Sequence, residues 1–411
     1  MTTPVDVAAG GPATCLDPYL PSFESRLASR NYTPGTIKIY RVLIRRLASF
    51  MEADGIAPEQ LTLDLAAELV RGEERHRHEP SKYRNIARRF AEHLIDIGIA
   101  PAPVPTAQQV ERARLRAGYE DYLHRQRGLS PRTIVHAWRF ADRFLDHRFG
   151  GGDIDLAATA ASDVIAFLQH LLSRKTPYRD KTVSTHLRSF FQYLFKIGAT
   201  ATNLALCVPR VAQPRGTRLP RHLTPDQVEA VLAAVRANPR HGRRDYAMLL
   251  LMARLGLRAP EVIAIQLDDI DWRAGELLVR GKGQRHDRVP IPPDVGEALA
   301  AYVRHDRISA SRTLFVSLRA PNGPFKGSEV VNAILKDAFA ATGVKPPSPY
   351  VGSHVLRHSL ATNMVRRGAS LAEVGDVLRH RSRASTMIYA KLDIDGLRSI
   401  AQPWPVAGGV R

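Results

Sequence analysis

The sequence predicts a mainly α-helical chain that closes on a mixed α/β domain. Three observations carry that reading. At 411 residues the chain is too long for one ordinary domain. Up to about residue 200 its apolar residues recur at helical spacing, in two runs of like pattern about 97 residues apart. Beyond Thr224 the pattern mixes helical periods with short β-type runs.

The first element is a tail, residues 1–17, whose sequence "MTTPVDVAAGGPATCLD" has neither the basic start nor the apolar stretch of a secretory signal. No later run reaches the length needed to span a bilayer. An N-terminal helical module follows over 18–100. Thr33 is placed to cap a helix with Pro34 in its first turn, and Ile37, Tyr40, Leu43, Ile44 and Leu47 form the apolar stripe. Ser130 and Pro131 repeat that cap, and Ile134, Phe140, Arg143 and Phe144 fall where Ile37, Leu43, Arg46 and Leu47 fell. Further on, "ARRFAEHLIDIGI" aligns with "LRSFFQYLFKIGA", sharing Arg88 with Arg188, Phe90 with Phe190, Leu94 with Leu194, Ile97 with Ile197 and Gly98 with Gly198. Any two amphipathic helices look somewhat alike, but the shared order of cap, helix, later helix and terminal Ile-Gly favours a duplicated module. A proline-rich linker, 101–110, separates the copies, and the second copy covers 111–207.

A basic linker over 208–223 leads to Thr224 and Gln227, a capping box that opens the last domain, 224–411. Within it, "RDYAMLLLMARLGLRAPEV" reads as a buried helix ending at Gly256, with Arg258 on the turn beyond and Pro260 opening the next helix at Glu261. Glu276 to Val279 and Arg288 to Ile291 read as strands of a hairpin, with Lys282 between two glycines near the tip. Ser353 is placed to cap a helix with the stripe Leu356, Leu360 and Met364, leaving His354 and Arg357 on a common side. Gly368 ends it. Ser370 with Glu373 then caps a helix that sends Val374, Val377 and Leu378 inward and delivers His380 at its end. Tyr389 follows, with a tail from 390 in which Ile394, Leu397 and Ile400 suggest a further amphipathic turn.

Each of these polar residues alone has an ordinary structural account: a helix-end cation for Arg258 and His380, a solvated hairpin tip for Lys282, a half-buried aromatic for Tyr389. Charge narrows the choice. Fifty-nine Lys and Arg against 40 Asp and Glu give +19, and only ten of the 59 are lysine. A surface so rich in guanidinium, which grips phosphate bidentately, points to a polyanionic partner, although base composition of a genome also raises Arg. Two cysteines, Cys15 and Cys207, fit neither a disulfide framework nor a structural zinc site, and suggest a reducing cytoplasm.

The order "GLRAPEV", Gly-Lys-Gly hairpin, "HVLRH", then His380 and Tyr389 nine residues on closely resembles the tyrosine recombinases, also called the phage integrase family. Their pattern of Arg, Lys, His-x-x-Arg, His or Trp, and Tyr is filled at all six positions. The resemblance implies a tyrosine-recombinase catalytic domain over 224–411 and a helical, SAM-like core-binding domain over 111–207, which the 18–100 module would repeat. It implies Tyr389 as nucleophile on a DNA phosphodiester, Arg258 and Arg357 clamping the non-bridging oxygens, His354 and His380 donating further hydrogen bonds, and Lys282 protonating the departing 5′-oxygen. No cofactor, metal or ATP is implied. Double-stranded DNA is the implied partner, with a tetramer assembled on it, sibling recombinases as further partners, and a bacterial cytoplasm with its nucleoid as the setting. Integration, excision or transposition of a mobile element would be the outcome, the N-terminal module binding a second DNA site or partner recombinases. Two departures stand out: Arg379 precedes His380 where the family usually has Gly, and Pro260 replaces a small residue. An idle DNA-binding accessory subunit and a type IB-like topoisomerase are the alternatives; the first has no use for Tyr389, and the second fits the helical repeats less well.

Overall fold

The computed structural model describes residues 13–71, 80–173, 181–210, 220–281, 286–347 and 352–392. These fall into two compact units, one from Met1–Pro58, Ala66–Leu94 and Gly216–Arg411, the other from Glu59–Leu65 and Ile95–Arg215. The chain is mainly helical, as its periodicity predicts. No helix among the described residues is long and apolar enough to cross a membrane.

The N-terminal helices are α1 (Leu20–Ala28), α2 (Pro34–Ala53), α3 (Leu63–Leu69) and α4 (Pro80–Asp96). Thr33 caps α2, its hydroxyl accepting the Thr36 N–H at 3.3 Å. Tyr40, Leu43, Ile44 and Leu47 are buried on one face, where Phe23 of α1 meets Phe90 of α4 edge-on at 5.1 Å. Four more helices follow: α5 (Ala107–Asp121), α6 (Pro131–Phe149), α7 (Ala161–Ser173) and α8 (Lys181–Lys196). Their core gathers Tyr119, Ile134, Phe140, Phe144, Phe167, Phe190 and Leu194. Asn31 and Gly128, each three residues before a helix-opening proline, take left-handed φ of 60° and 58°, and Gly98 and Gly198 do so at 77° and 71°. Ser130 differs from Thr33. Its hydroxyl meets the Thr133 hydroxyl at 2.9 Å and makes no bond to the helix backbone.

The last domain packs around α10 (Gly242–Leu255), which is buried almost all round and touches α9 (Pro225–Arg236), α12 (Pro293–His305), α13 (Glu329–Thr342) and α14 (His354–Arg366). The Thr224–Gln227 capping box opens α9. After α11 (Ala259–Ala264) comes an antiparallel sheet of β1 (Ile270–Asp271), β2 (Glu276–Arg280) and β3 (His286–Pro290) in that order. The predicted hairpin is present with β3 starting earlier, because its register is set by Leu277 opposite Val289 and Val279 opposite Asp287. Strand β1 is too short to leave a period in the sequence.

The chain then forms α15 (Leu371–Val377), α16 (Arg383–Thr386) and a 3₁₀ turn, Met387–Leu392. Ala361, Val365, Val374, Leu378 and Tyr389 make a small core of their own. Three expectations are corrected here. Ser353 has helical φ and ψ and no side-chain cap; its N–H is taken by Asn332 Oδ1 at 2.9 Å instead. Helix α14 is buried on most of its circumference, so Arg357 is 4% exposed where a one-sided stripe left it outside. Val377 is 42% exposed, since the short α15 turns only Val374 and Leu378 inward. The predicted helical turn around Ile394, Leu397 and Ile400 lies outside the described residues.

Candidate active site

The site is built where several helix ends meet. Gly256 ends α10 with φ 60°, and a Cβ there would sit 2.6 Å from Leu378 Cδ2, so both conformation and space require glycine. Two residues on, Arg258 is the N-cap of α11. Its Nη1 donates to Glu261 Oε1 at 2.6 Å and its backbone N–H to Oε2 at 2.9 Å. The carboxylate thus both caps the helix and fixes the guanidinium.

Arg357 approaches the same point from α14. Nη1 donates to the Gly256 carbonyl and Nη2 to the Leu378 carbonyl, the C-caps of α10 and α15. Burial, with Arg258 nearby, pushes its pKa down to about 10, which still leaves it cationic at neutral pH. His354, the first residue of α14, is held below the ordinary histidine value by desolvation and then by Arg357 and Arg258.

His380 lies just beyond α15. Arg379 before it has φ 53°, and this left-handed step turns the His380 N–H onto the Gly375 carbonyl at 2.8 Å. Its Nδ1 is 2.8 Å from the Thr386 hydroxyl. Desolvation, then Arg357 and Arg258, push it to about 4, so the ring is neutral at physiological pH. With Thr386 as donor, Nε2 carries the proton and is free to donate.

Tyr389 is 1% exposed. Its hydroxyl is 2.6 Å from His358 Nδ1, and its ring lies near-parallel to His380 at 6.5 Å. Burial drives the phenol up to about 12, with Arg357 pulling the other way. His358, also pushed to about 4 by burial and by His354, is neutral; with the phenol as donor, its Nδ1 accepts the hydrogen bond and Nε2 carries the ring proton. Arg258, His354, Arg357, His380 and Tyr389 therefore converge, and their charges act on one another. Lys282 lies outside the described residues.

Comparison with known proteins decides the family. The model of the phage integrase family matches residues 221–395. The Sinorhizobium fredii protein named as integrase/recombinase y4rA is 44% identical over 288 residues, covering 70% of either chain. The chain belongs to the phage integrase family. Among other tyrosine recombinases, XerD of Mycobacterium tuberculosis is 31% identical over 299 residues, covering 69% of this chain and 94% of its own. Two solved structures share the fold. XerH bound to its difH substrate in a post-cleavage complex has a TM-score of 0.52 at 17% identity, covering 81% of this chain and 93% of its own. A lambda integrase dimer bound to a core site has 0.51 at 18%, covering 71% and 99%.

Several residues of this tyrosine recombinase's site had no role in the sequence reading. His358 has no role in the family's pattern, though it stands one turn after His354 on the same helix face. Arg379 departs from the family's pattern, and its Nη2 reaches Glu261 Oε2 at 3.3 Å and its Nη1 the Leu255 carbonyl at 3.4 Å. Thr386 carried no signal, since its link to His380 depends on how the chain folds back through α16.

Proposed function

We propose that this chain is a site-specific recombinase that cuts and rejoins DNA through Tyr389. One observation carries the reading: a buried phenol shares a site with two guanidiniums and two neutral imidazoles able to donate hydrogen bonds. The Tyr389 oxygen attacks the scissile phosphorus, the bond to the 5′-oxygen breaks, and a 3′-phosphotyrosyl ester remains. As the phosphoryl oxygens gain charge, Arg258 and Arg357 stabilise them, with His354 and His380 donating further. Preorganised donors of this kind are worth roughly 10²–10³ in rate apiece. Tyr389 gives up its contact with His358 on reaching the phosphorus, and its phenolic proton passes to water as the new bond forms. Lys282 supplies a proton to the departing 5′-oxygen. The ester conserves the energy of the broken bond, so a 5′-hydroxyl from another strand reverses the step without ATP.

Tyr389 must leave its burial to meet a phosphate, which suits a nucleophile released on assembly. The second helical copy, 111–207, acts as the core-binding domain, and four protomers join two duplexes, alone or with sibling recombinases, at the nucleoid. Integration, excision or transposition of a mobile element is the outcome, a reading that the integrase/recombinase name of the Sinorhizobium fredii relative supports for integration. The 18–100 module takes the same helical order as 111–207 and binds a second DNA site; charge reversal at Lys38 and Arg88 would then erase a distinct, salt-sensitive footprint, and an unchanged footprint would exclude this.

The deciding experiment incubates the full chain with nicked duplexes of randomised sequence and recovers detergent-stable protein–DNA adducts. Adducts form with the wild type, map to Tyr389 by mass spectrometry, and are absent with Tyr389→Phe. A pool that yields none, or equal yields from the variant, overturns the reading.

A further inference from the structure

Arg379 occupies a position that an arginine should avoid. Its φ of 53° costs a non-glycine residue about 1–2 kcal/mol, and its side chain is only 10% exposed. The family pattern puts glycine here, which meets neither cost. What the arginine reaches is Glu261, itself 7% exposed. That carboxylate divides its oxygens: Oε1 takes Arg258 Nη1, and Oε2 takes both the Arg258 backbone N–H and Arg379 Nη2.

The charge count gives the consequence. Glu261 and Arg258 alone sum to zero, so the clamp guanidinium facing the phosphate would be neutralised by its own anchor. With Arg379 the three groups sum to +1, and with Arg357 the site carries +2. Sharing the carboxylate weakens its hold on Arg258, while the 3.4 Å bond to the Leu255 carbonyl keeps Arg379 at the end of α10.

We infer that Arg379 is a positioning residue that shares Glu261 with Arg258, so that the Arg258 guanidinium keeps its charge for the scissile phosphate. This rests on the recombinase reading above. It also explains the left-handed arginine: the same backbone step that presents His380 turns the Arg379 side chain back towards α11.

The test uses duplexes captured by the wild type, prepared with a phosphodiester or a methylphosphonate at the scissile position; the latter lacks one anionic oxygen and needs less positive charge. Arg379→Gly relieves the backbone, so folding is checked by melting, and Arg379→Met against Arg379→Lys separates bulk from charge should glycine fail to fold. Arg379→Gly and Arg379→Met are expected to cleave the phosphodiester about 10- to 100-fold more slowly, less than the loss of a direct donor. The dissociation constant for DNA stays within about twofold, Arg379→Lys recovers most of the rate, and the defect shrinks to less than about threefold on the methylphosphonate. Equal defects on both substrates, or none, overturn the inference while leaving the recombinase reading intact. A wild type that forms no adduct overturns both.

Discussion

Protonating His358 should loosen the segment that carries Tyr389. In the fold this imidazole's Nδ1 lies 2.6 Å from the Tyr389 hydroxyl, and its pKa is pushed down to about 4 from an ordinary 6.5. A base with a depressed folded pKa contributes stability that is complete above 6.5 and lost as pH falls towards 4. At pH 5 the unfolded ring is almost fully protonated and the folded one only about a tenth so, which amounts to about 2 kcal/mol by linkage. Screening of the partly buried ring brings this to about 1–2 kcal/mol, or five- to thirtyfold in an opening equilibrium. Hydrogen exchange of the segment 383–392 at pH 7 and pH 5, corrected for intrinsic rates, reads that equilibrium. His358→Asn keeps an acceptor where Nδ1 was and does not titrate, so its protection should fall about five- to thirtyfold less than that of the wild type. His354 and His380 are shifted the same way but are common to both proteins, so the difference isolates His358. Equal loss of protection in wild type and variant would refute the claim that His358 holds the tyrosine.

Arg357→Lys cannot bridge the Gly256 and Leu378 carbonyls together, and should cut single-turnover cleavage by about 10²–10³ and lower stability by about 1–3 kcal/mol, read by quenched adduct formation and by denaturant melts. Gly256→Ala, strained at φ 60° and crowded by Leu378 at 2.6 Å, should destabilise by about 1–3 kcal/mol; adding Leu378→Ala should relieve the clash but not the backbone term, a non-additivity that a double-mutant cycle measures. Thr386→Val removes the hydroxyl that fixes the His380 tautomer, and should slow cleavage by about tenfold while DNA affinity, followed by titration, stays unchanged.

What the sequence made legible follows from range. Helices α2, α9 and α15 were readable because their caps and stripes lie within a turn or two of the residues they organise: Thr33 with Thr36, Thr224 with Gln227, Ser370 with Glu373. Arg258, His354, Arg357, His380 and Tyr389 were recognisable from their order. Their environments were not. The burial of Arg357 depends on helix ends 101 and 21 residues away, the bond from Tyr389 to His358 spans two elements, and the exposure of Val377 depends on what α15 packs against. Periodicity reports which side of a helix is apolar and says nothing of a helix enclosed on most sides, as α14 is.

Those long-range contacts also account for the dispersal of the site along the chain. Arg357 spends two of its donors on the carbonyls that end α10 and α15, groups a helix leaves without partners. Arg258 stands two residues past the first of those ends, and Arg379 and His380 directly past the second. One buried guanidinium therefore sets the spacing between Arg258 and His380, and Glu261 closes the loop by holding Arg258 and Arg379 together. Helix ends suit this use because an end has a defined position and direction, while the loop after it is free to vary. Such an arrangement ties Arg258, Arg357 and His380 to helix ends, and it leaves Tyr389, held by one hydrogen bond and a small core, as the member that moves at least cost.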